Sequence, residues 1–298
     1  MSICHREIIM IDLVNLKSLF GSYRVKKRDV TFGNGSVELK GRLLYPHGIR
    51  NVPGIVLCHG FGTSYRTVEA PAKILARKGI AVLIFDFRGH GRSDGIVDDN
   101  IVEDVLAAWN FLSAYPGIDN LRMALAGHSM GAMAAILAAH EVKPRALIAL
   151  SCPPEINGDL GKLRFEIPPE LTEMRGIIKE YPRDGYLPWV KGLGALVSRL
   201  WMRMAGYRVR VEWSKFFSIF KSARLTEIVH ELRDCAVLFV HCEGDAVSPA
   251  STAVALYETA QCPKGILVKH GGFHSTPLLM GSVRRDWTEW AVNTLYSL

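Results

Sequence analysis

The sequence predicts an α/β fold, a mostly parallel central sheet with helices on both faces, and three observations carry that prediction. Short apolar runs alternate with helical patterns along most of the 298 residues. Those runs, such as Gly54–Cys58 and Ala81–Phe85, are apolar throughout rather than at every second position, as strands covered on both faces must be. The chain is also 49% apolar, which excludes disorder and supports either two domains or one large α/β domain carrying an insertion.

The elements follow in order. From Val30 onward the sequence reads as a strand at 37–45, a strand at 54–58, a helix near 67–78, a strand at 81–85 and a helix at 102–115. Next come an apolar strand at 123–126, a helix of small residues at 132–140 and a strand at 146–150. The alternation stops at Ser151-Cys152-Pro153-Pro154, resumes near Ile228, and closes with strands at 236–240 and 265–268. The stretch between reads as an insertion in the sheet. The expected division is an N-terminal extension over 1–24, a core over 25–152 and 226–298, and a lid over 153–225.

The extension carries Asp12, Asn15 and Ser18 at helical spacing opposite Leu13, Leu16 and Phe20, so an amphipathic helix is expected there. Its charges, Arg6, Glu7, Asp12 and Lys17, and its lack of a basic leader and cleavage site argue against a signal peptide or a membrane span. Docking on the chain's own core is the expected use of its apolar side, with dimerisation or membrane contact as the alternatives. The insertion is basic: residues 160–225 hold 13 Lys plus Arg against 6 Asp plus Glu, an excess equal to the +7 of the whole chain. Arg199, Arg203, Arg208, Arg210 and Lys215 are interleaved there with Trp201, Tyr207, Trp213, Phe216 and Phe217. The expected structure is a helical lid with an apolar face over a pocket and a solvated basic face. Contact of that basic face with an anionic membrane, or guidance of an anionic substrate, is the alternative. Nucleic acid is not an expected partner, because the basic residues form no recognisable binding module.

Six cysteines at positions 4, 58, 152, 235, 242 and 262 form no C-x-x-C pair, and several fall in apolar runs. They read as reduced core thiols of a cytoplasmic protein.

Gly127-His128-Ser129-Met130-Gly131 is the most informative stretch, because it lies between an apolar strand and a small-residue helix. Strand, G-x-S-x-G, helix is the sequence form of a nucleophile elbow. A serine on so sharp a turn has strained backbone angles, and side chains two positions either side would collide with neighbouring elements; glycine removes them. The Met130 amide is left at a helix N-terminus, where it can donate to an oxyanion. A nucleophilic Ser129 needs a base and an orienting acid, in chain order serine, acid, histidine. Asp245 follows the strand at 236–240 and His274 follows the strand at 265–268, so both loops open on the same edge of the sheet as the elbow. His241 and His270 are rivals for the base, and Glu243 is the rival acid. His274 is preferred because His241 and His270 lie nearer the strand ends, and Asp245 because a carboxylate followed by a small residue and a proline turn is better placed to reach across a loop than Glu243, which is expected to face solvent. The second oxyanion donor is expected from His59-Gly60-Phe61-Gly62, after the strand at 54–58, and is assigned to the Phe61 amide.

With these residues in place the chain resembles the α/β-hydrolase superfamily over about 230 residues, 25–152 and 226–298. Within it the pattern is similar to serine esterases, monoacylglycerol-lipase-like and feruloyl-esterase-like enzymes, and the serine aminopeptidase group. The run Asp86-Phe87-Arg88-Gly89-His90-Gly91-Arg92-Ser93-Asp94-Gly95 looks like the loop such enzymes carry between the oxyanion strand and the elbow, with Arg88 and the glycines as structural residues. Two positions depart from the pattern: Cys242 stands where glycine commonly follows the histidine, and the helix after the elbow begins Met130-Gly131-Ala132 without a second glycine. The resemblance implies a carboxylesterase acting on a small-molecule ester through Ser129, His274 and Asp245. The alternatives are an aminopeptidase anchoring a substrate amine with Glu166, Glu170 or Glu173, and a non-catalytic protein that binds membranes or partners. No cofactor or metal is expected, since H-E-x-x-H, P-loop and G-x-G-x-x-G motifs are missing.

Overall fold

The computed structural model describes residues 22–155 and 209–297. Strands β1 (Val25–Asn34) and β2 (Val37–Pro46) form an antiparallel hairpin, and β2 runs antiparallel to β4 (Ala81–Phe85). The rest is parallel: β3 (Val52–Cys58), β5 (Ile118–His128), β6 (Ala146–Leu150), β7 (Ala236–Cys242) and β8 (Lys264–Lys269). The sheet order is β1-β2-β4-β3-β5-β6-β7-β8.

The helices are α1 (Glu69–Arg77), α2 (Ile101–Ser113), α3 (Met130–Val142), α4 (Trp213–Ser222), α5 (Leu225–Glu231), α6 (Ser251–Thr259), α7 (Thr276–Leu279) and α8 (Gly281–Tyr296). Two apolar layers flank the sheet. Met123 and Leu125 of β5 join the side chains of α2, α3, α5 and α6, while Ala124 and Ala126 join those of α1 and α8, including the buried Trp287. Successive residues of a strand face opposite ways, so strands β3, β4 and β6 can be buried at every position only because both faces are covered. Among the described residues, no helix is long and apolar enough to cross a membrane.

Strand β1 was not among the expected strands. Its sequence VKKRDVTFGN is charged and exposed because it is the edge of the sheet, so the apolar signal is weak there, although Asn34-Gly35 marks its turn. The described return of the insertion begins with an extended segment. Val209–Glu212 is extended and pairs with the loop after β4: Arg210 N donates to Gly89 O (2.8 Å), Val97 N to Arg210 O (2.8 Å) and Glu212 N to Val97 O (2.9 Å). Arg210 is exposed, and its guanidinium also donates to Ser93 O (2.6 Å). Among the described residues of the insertion, helical structure starts at α4. The expected N-terminal helix over 1–20, Cys4, most of the insertion, and Glu166, Glu170 and Glu173 lie outside the described residues. The other five cysteines are buried and unpaired.

Candidate active site

β5 ends at His128 and α3 begins at Met130, so Ser129 alone makes the turn. Its backbone lies at φ 55°, ψ −123°, a region residues with a side chain rarely occupy. A Cβ on Gly127 would fall 2.1 Å from Gly131 O, and one on Gly131 would fall 2.5 Å from His59 O. Glycine at both positions is therefore a steric requirement of the turn. Ser129 N donates to Leu150 O (2.9 Å), which holds the turn to the sheet, and Ser129 O accepts from Ala132 N (2.8 Å) as α3 begins. Met130 is the first helical residue, so its N–H has no acceptor within the helix and adds to the positive end of the helix dipole.

The loop after β3 lies against this turn, and a Cβ on Gly60 would sit 3.2 Å from Ser129 Cβ. Gly60 O accepts from His59 Nδ1 (2.7 Å) and Thr63 Oγ1 (2.7 Å), which fixes the peptide whose other end is the Phe61 N–H. The Phe61 ring stacks on Phe216 of α4, with centroids 4.7 Å apart.

Asp245 and His274 are brought together: His274 Nδ1 donates to Asp245 Oδ2 at 2.8 Å. The second carboxylate oxygen, Oδ1, accepts from Val247 N and Ser248 N, each at 2.9 Å. Burial opposes the charge on Asp245. The hydrogen bonds from His241, His274 and the Ser248 amide outweigh it and hold the carboxyl well below the usual carboxylate range. The rivals are placed elsewhere. His270 and Glu243 pair with each other at the surface, and His241 lies buried in β7 with Nε2 on Ser248 O (2.9 Å) and 3.3 Å from Asp245 Oδ2. His274 is carried to the elbow by its own backbone: its carbonyl accepts from His128 Nε2 (2.9 Å) and Ser151 Oγ (2.8 Å), and its ring centroid is 4.8 Å from that of His128.

Sequence reasoning missed His128, Ser151 and His241 in these supporting positions. His128 is the variable position of G-x-S-x-G, and nothing in its spacing marks it as a ligand for a carbonyl 146 residues away. Besides His241, three buried imidazoles, His59, His90 and His128, line this end of the sheet. Burial pulls His128 and His90 down to about 4 and pulls His59 well below its ordinary value, so these three are neutral. Behind them Arg88 makes a bidentate pair with buried Asp104 (Nη2–Oδ1 2.8 Å, Nε–Oδ2 3.1 Å) and reaches Asp98 (3.0 Å), bracing the loop after β4 as a structural residue. Among the described residues, no group of His, Cys, Asp and Glu is arranged to hold a metal ion.

This sheet order, a one-residue serine turn after β5, and acid and histidine loops after β7 and β8 define an α/β-hydrolase fold. A family model described as serine aminopeptidase, S33, matches residues 51–179. The chain is similar to GrgF, an alpha/beta hydrolase from Penicillium sp., with TM-score 0.68 and 21% identity over 91% of this chain and 98% of that one. It is also similar to Est1E from Butyrivibrio proteoclasticus, solved with ferulic acid bound, with TM-score 0.67 and 21% identity over 89% and 99% of the two chains. The thiohydrolase aneE of Aspergillus aculeatus is 36% identical over 124 residues, 39% of this chain and 38% of that protein. The aligned stretches span less than half the length of such curated relatives. The chain shares the α/β-hydrolase fold with these structures.

Proposed function

We propose that this protein is a serine hydrolase that cleaves carboxylic esters of apolar acyl or aryl groups through an acyl-enzyme. Ser129 attacks the ester carbonyl, His274 takes the hydroxyl proton and returns it to the leaving alcohol, and Asp245 holds the imidazole in the Nδ1–H tautomer. The Phe61 and Met130 amides receive the oxyanion. Water, deprotonated by His274, then releases the acid.

The single observation that carries this reading is the 2.8 Å bond from His274 Nδ1 to a carboxylate already saturated by other donors. That carboxylate cannot serve as a base itself, and it leaves Nε2 as the basic nitrogen of a neutral imidazole. No hydrogen bond among the described residues involves Ser129 Oγ, and serine–imidazole contacts of this kind tighten in the reacting complex. Phe61 and Phe216 supply an aromatic wall beside the oxyanion loop, which supports apolar acyl or aryl groups. Thioesters of the same acids are the second reading, favoured by the likeness to a thiohydrolase; they use the same serine chemistry.

The test is nitrophenol release from short, medium and long acyl esters by wild type and Ser129→Ala. Wild type is expected to turn over at least one chain length with a burst equal to the enzyme present, and the variant to lose roughly 10⁵- to 10⁶-fold. A wild type inert on every ester overturns the ester reading, and thiol release from acyl thioesters then decides the second.

A further inference from the structure

We propose that His90 is a positioning residue for the oxyanion loop, orienting the Phe61 amide by accepting a hydrogen bond from the next peptide along. This inference rests on the serine-hydrolase reading above.

The contact is Gly62 N–H to His90 Nε2 at 3.1 Å. Nε2 is an acceptor here because the ring's proton is on Nδ1, which donates to Arg88 O (3.1 Å). His90 is completely buried, and its desolvated ring stays neutral at ordinary pH. The loop is thereby tied at two successive peptides. The Gly60–Phe61 peptide is held at its carbonyl by His59 and Thr63, and the Phe61–Gly62 peptide is held at its N–H by His90. A trans peptide is rigid, so anchoring both planes leaves the α-carbon of Phe61 no rotation about either side. The direction of the Phe61 N–H then follows from the two imidazoles.

The anchor is itself held. The His90 ring packs edge-on to Phe61 (5.6 Å, 90°) and to His59 (5.0 Å, 69°). Its backbone bridges to Val209 at the return of the insertion, beside the Arg210 and Glu212 bonds to the same loop. Gly62 sits at φ +73°, a conformation from which a glycine escapes at little cost once its N–H loses its acceptor.

The test compares His90→Leu, which removes the acceptor, with His90→Gln, whose side-chain oxygen can take the place of Nε2. Losing alignment of one oxyanion donor costs about 10²-fold in kcat. The leucine variant is expected to fall by that factor with KM within threefold of wild type, and to lose the same factor in affinity for a boronic acid that forms a tetrahedral adduct with the serine. The glutamine variant is expected to recover most of both losses. A folded leucine variant with wild-type kcat, or a kcat loss that glutamine does not restore, overturns the proposal. If the leucine variant does not fold, wild-type enzyme labelled with ¹⁵N is read for scalar coupling between Gly62 N and His90 Nε2; its presence supports the anchor and its absence overturns it. Loss of activity in Ser129→Ala with none in His90→Leu refutes this inference alone, whereas indifference to Ser129→Ala refutes the reading beneath it.

Discussion

Asp245→Asn alters the site by one heavy atom, and its effect follows from counting donors. Four point at the carboxylate: Val247 N and Ser248 N on Oδ1, His274 Nδ1 and His241 Nε2 on Oδ2. An amide has one oxygen to offer. The two backbone donors cannot turn, so the amide oxygen faces them and its NH₂ faces the imidazoles. His274 answers by moving its proton to Nε2, the nitrogen that has to accept from Ser129. The wrong tautomer is worth roughly 10⁴-fold in kcat in a Ser-His-Asp enzyme, about 5.4 kcal/mol of transition-state stabilisation. The assay is steady-state nitrophenol release at pH 7.5 to 8, with Glu243→Gln as control, since the Glu243 carboxylate pairs with His270 at the surface, away from Asp245. Retention of activity within tenfold by Asp245→Asn, or a greater loss in Glu243→Gln, would refute the assignment.

Two further outcomes are expected. In Gly131→Ala the new Cβ meets His59 O at 2.5 Å and Cys58 O at 2.7 Å, backbone atoms that move only with the end of β3. Urea unfolding is expected to show a loss of about 1–3 kcal/mol, with activity falling further because the oxyanion loop shifts; unchanged values for both would contradict the tight turn. Because folded His90 and His128 sit at about 4 while the unfolded residues titrate near 6.5, the unfolded chain takes up protons first as pH falls. Stability is then complete above about pH 6.5 and declines through that value towards pH 4, by up to about 7 kcal/mol for the two. Below pH 4 the loss of the Asp245 carboxylate adds to it. Urea midpoints between pH 7 and 5 check this, and a flat profile would show that these imidazoles are not held neutral.

The parallel strands were legible because burial on both faces writes them as uninterrupted apolar runs, and their observed limits, such as Ala81–Phe85 and Ala146–Leu150, coincide with those runs. Strand β1 was not, because an edge strand with Lys26, Lys27, Arg28 and Asp29 in solvent carries no such signature. Ser129 was legible because its turn forces glycine at fixed spacing. The preference for His274 over His241 followed from loop position, but the sharing of Asp245 between them did not, since it depends on how a loop folds back over a strand end. The extended return at Val209–Glu212 was hidden for a similar reason: its partners, Gly89 and Val97, are more than a hundred residues earlier.

β6 and β7 lie side by side, Ala146 opposite Ala236, with all of 151–235 strung between them. The far end of that stretch is tied to the body of the protein: Leu225 and Val229 of α5 are buried in the layer that α2 and α3 also build, and Val209–Glu212 pairs with the loop after β4. Change within it is tolerated only where those anchors stay, since emptying one buried leucine position costs about 2–5 kcal/mol. Two adjacent strands thus bound a connection whose return is fixed by packing rather than by its length.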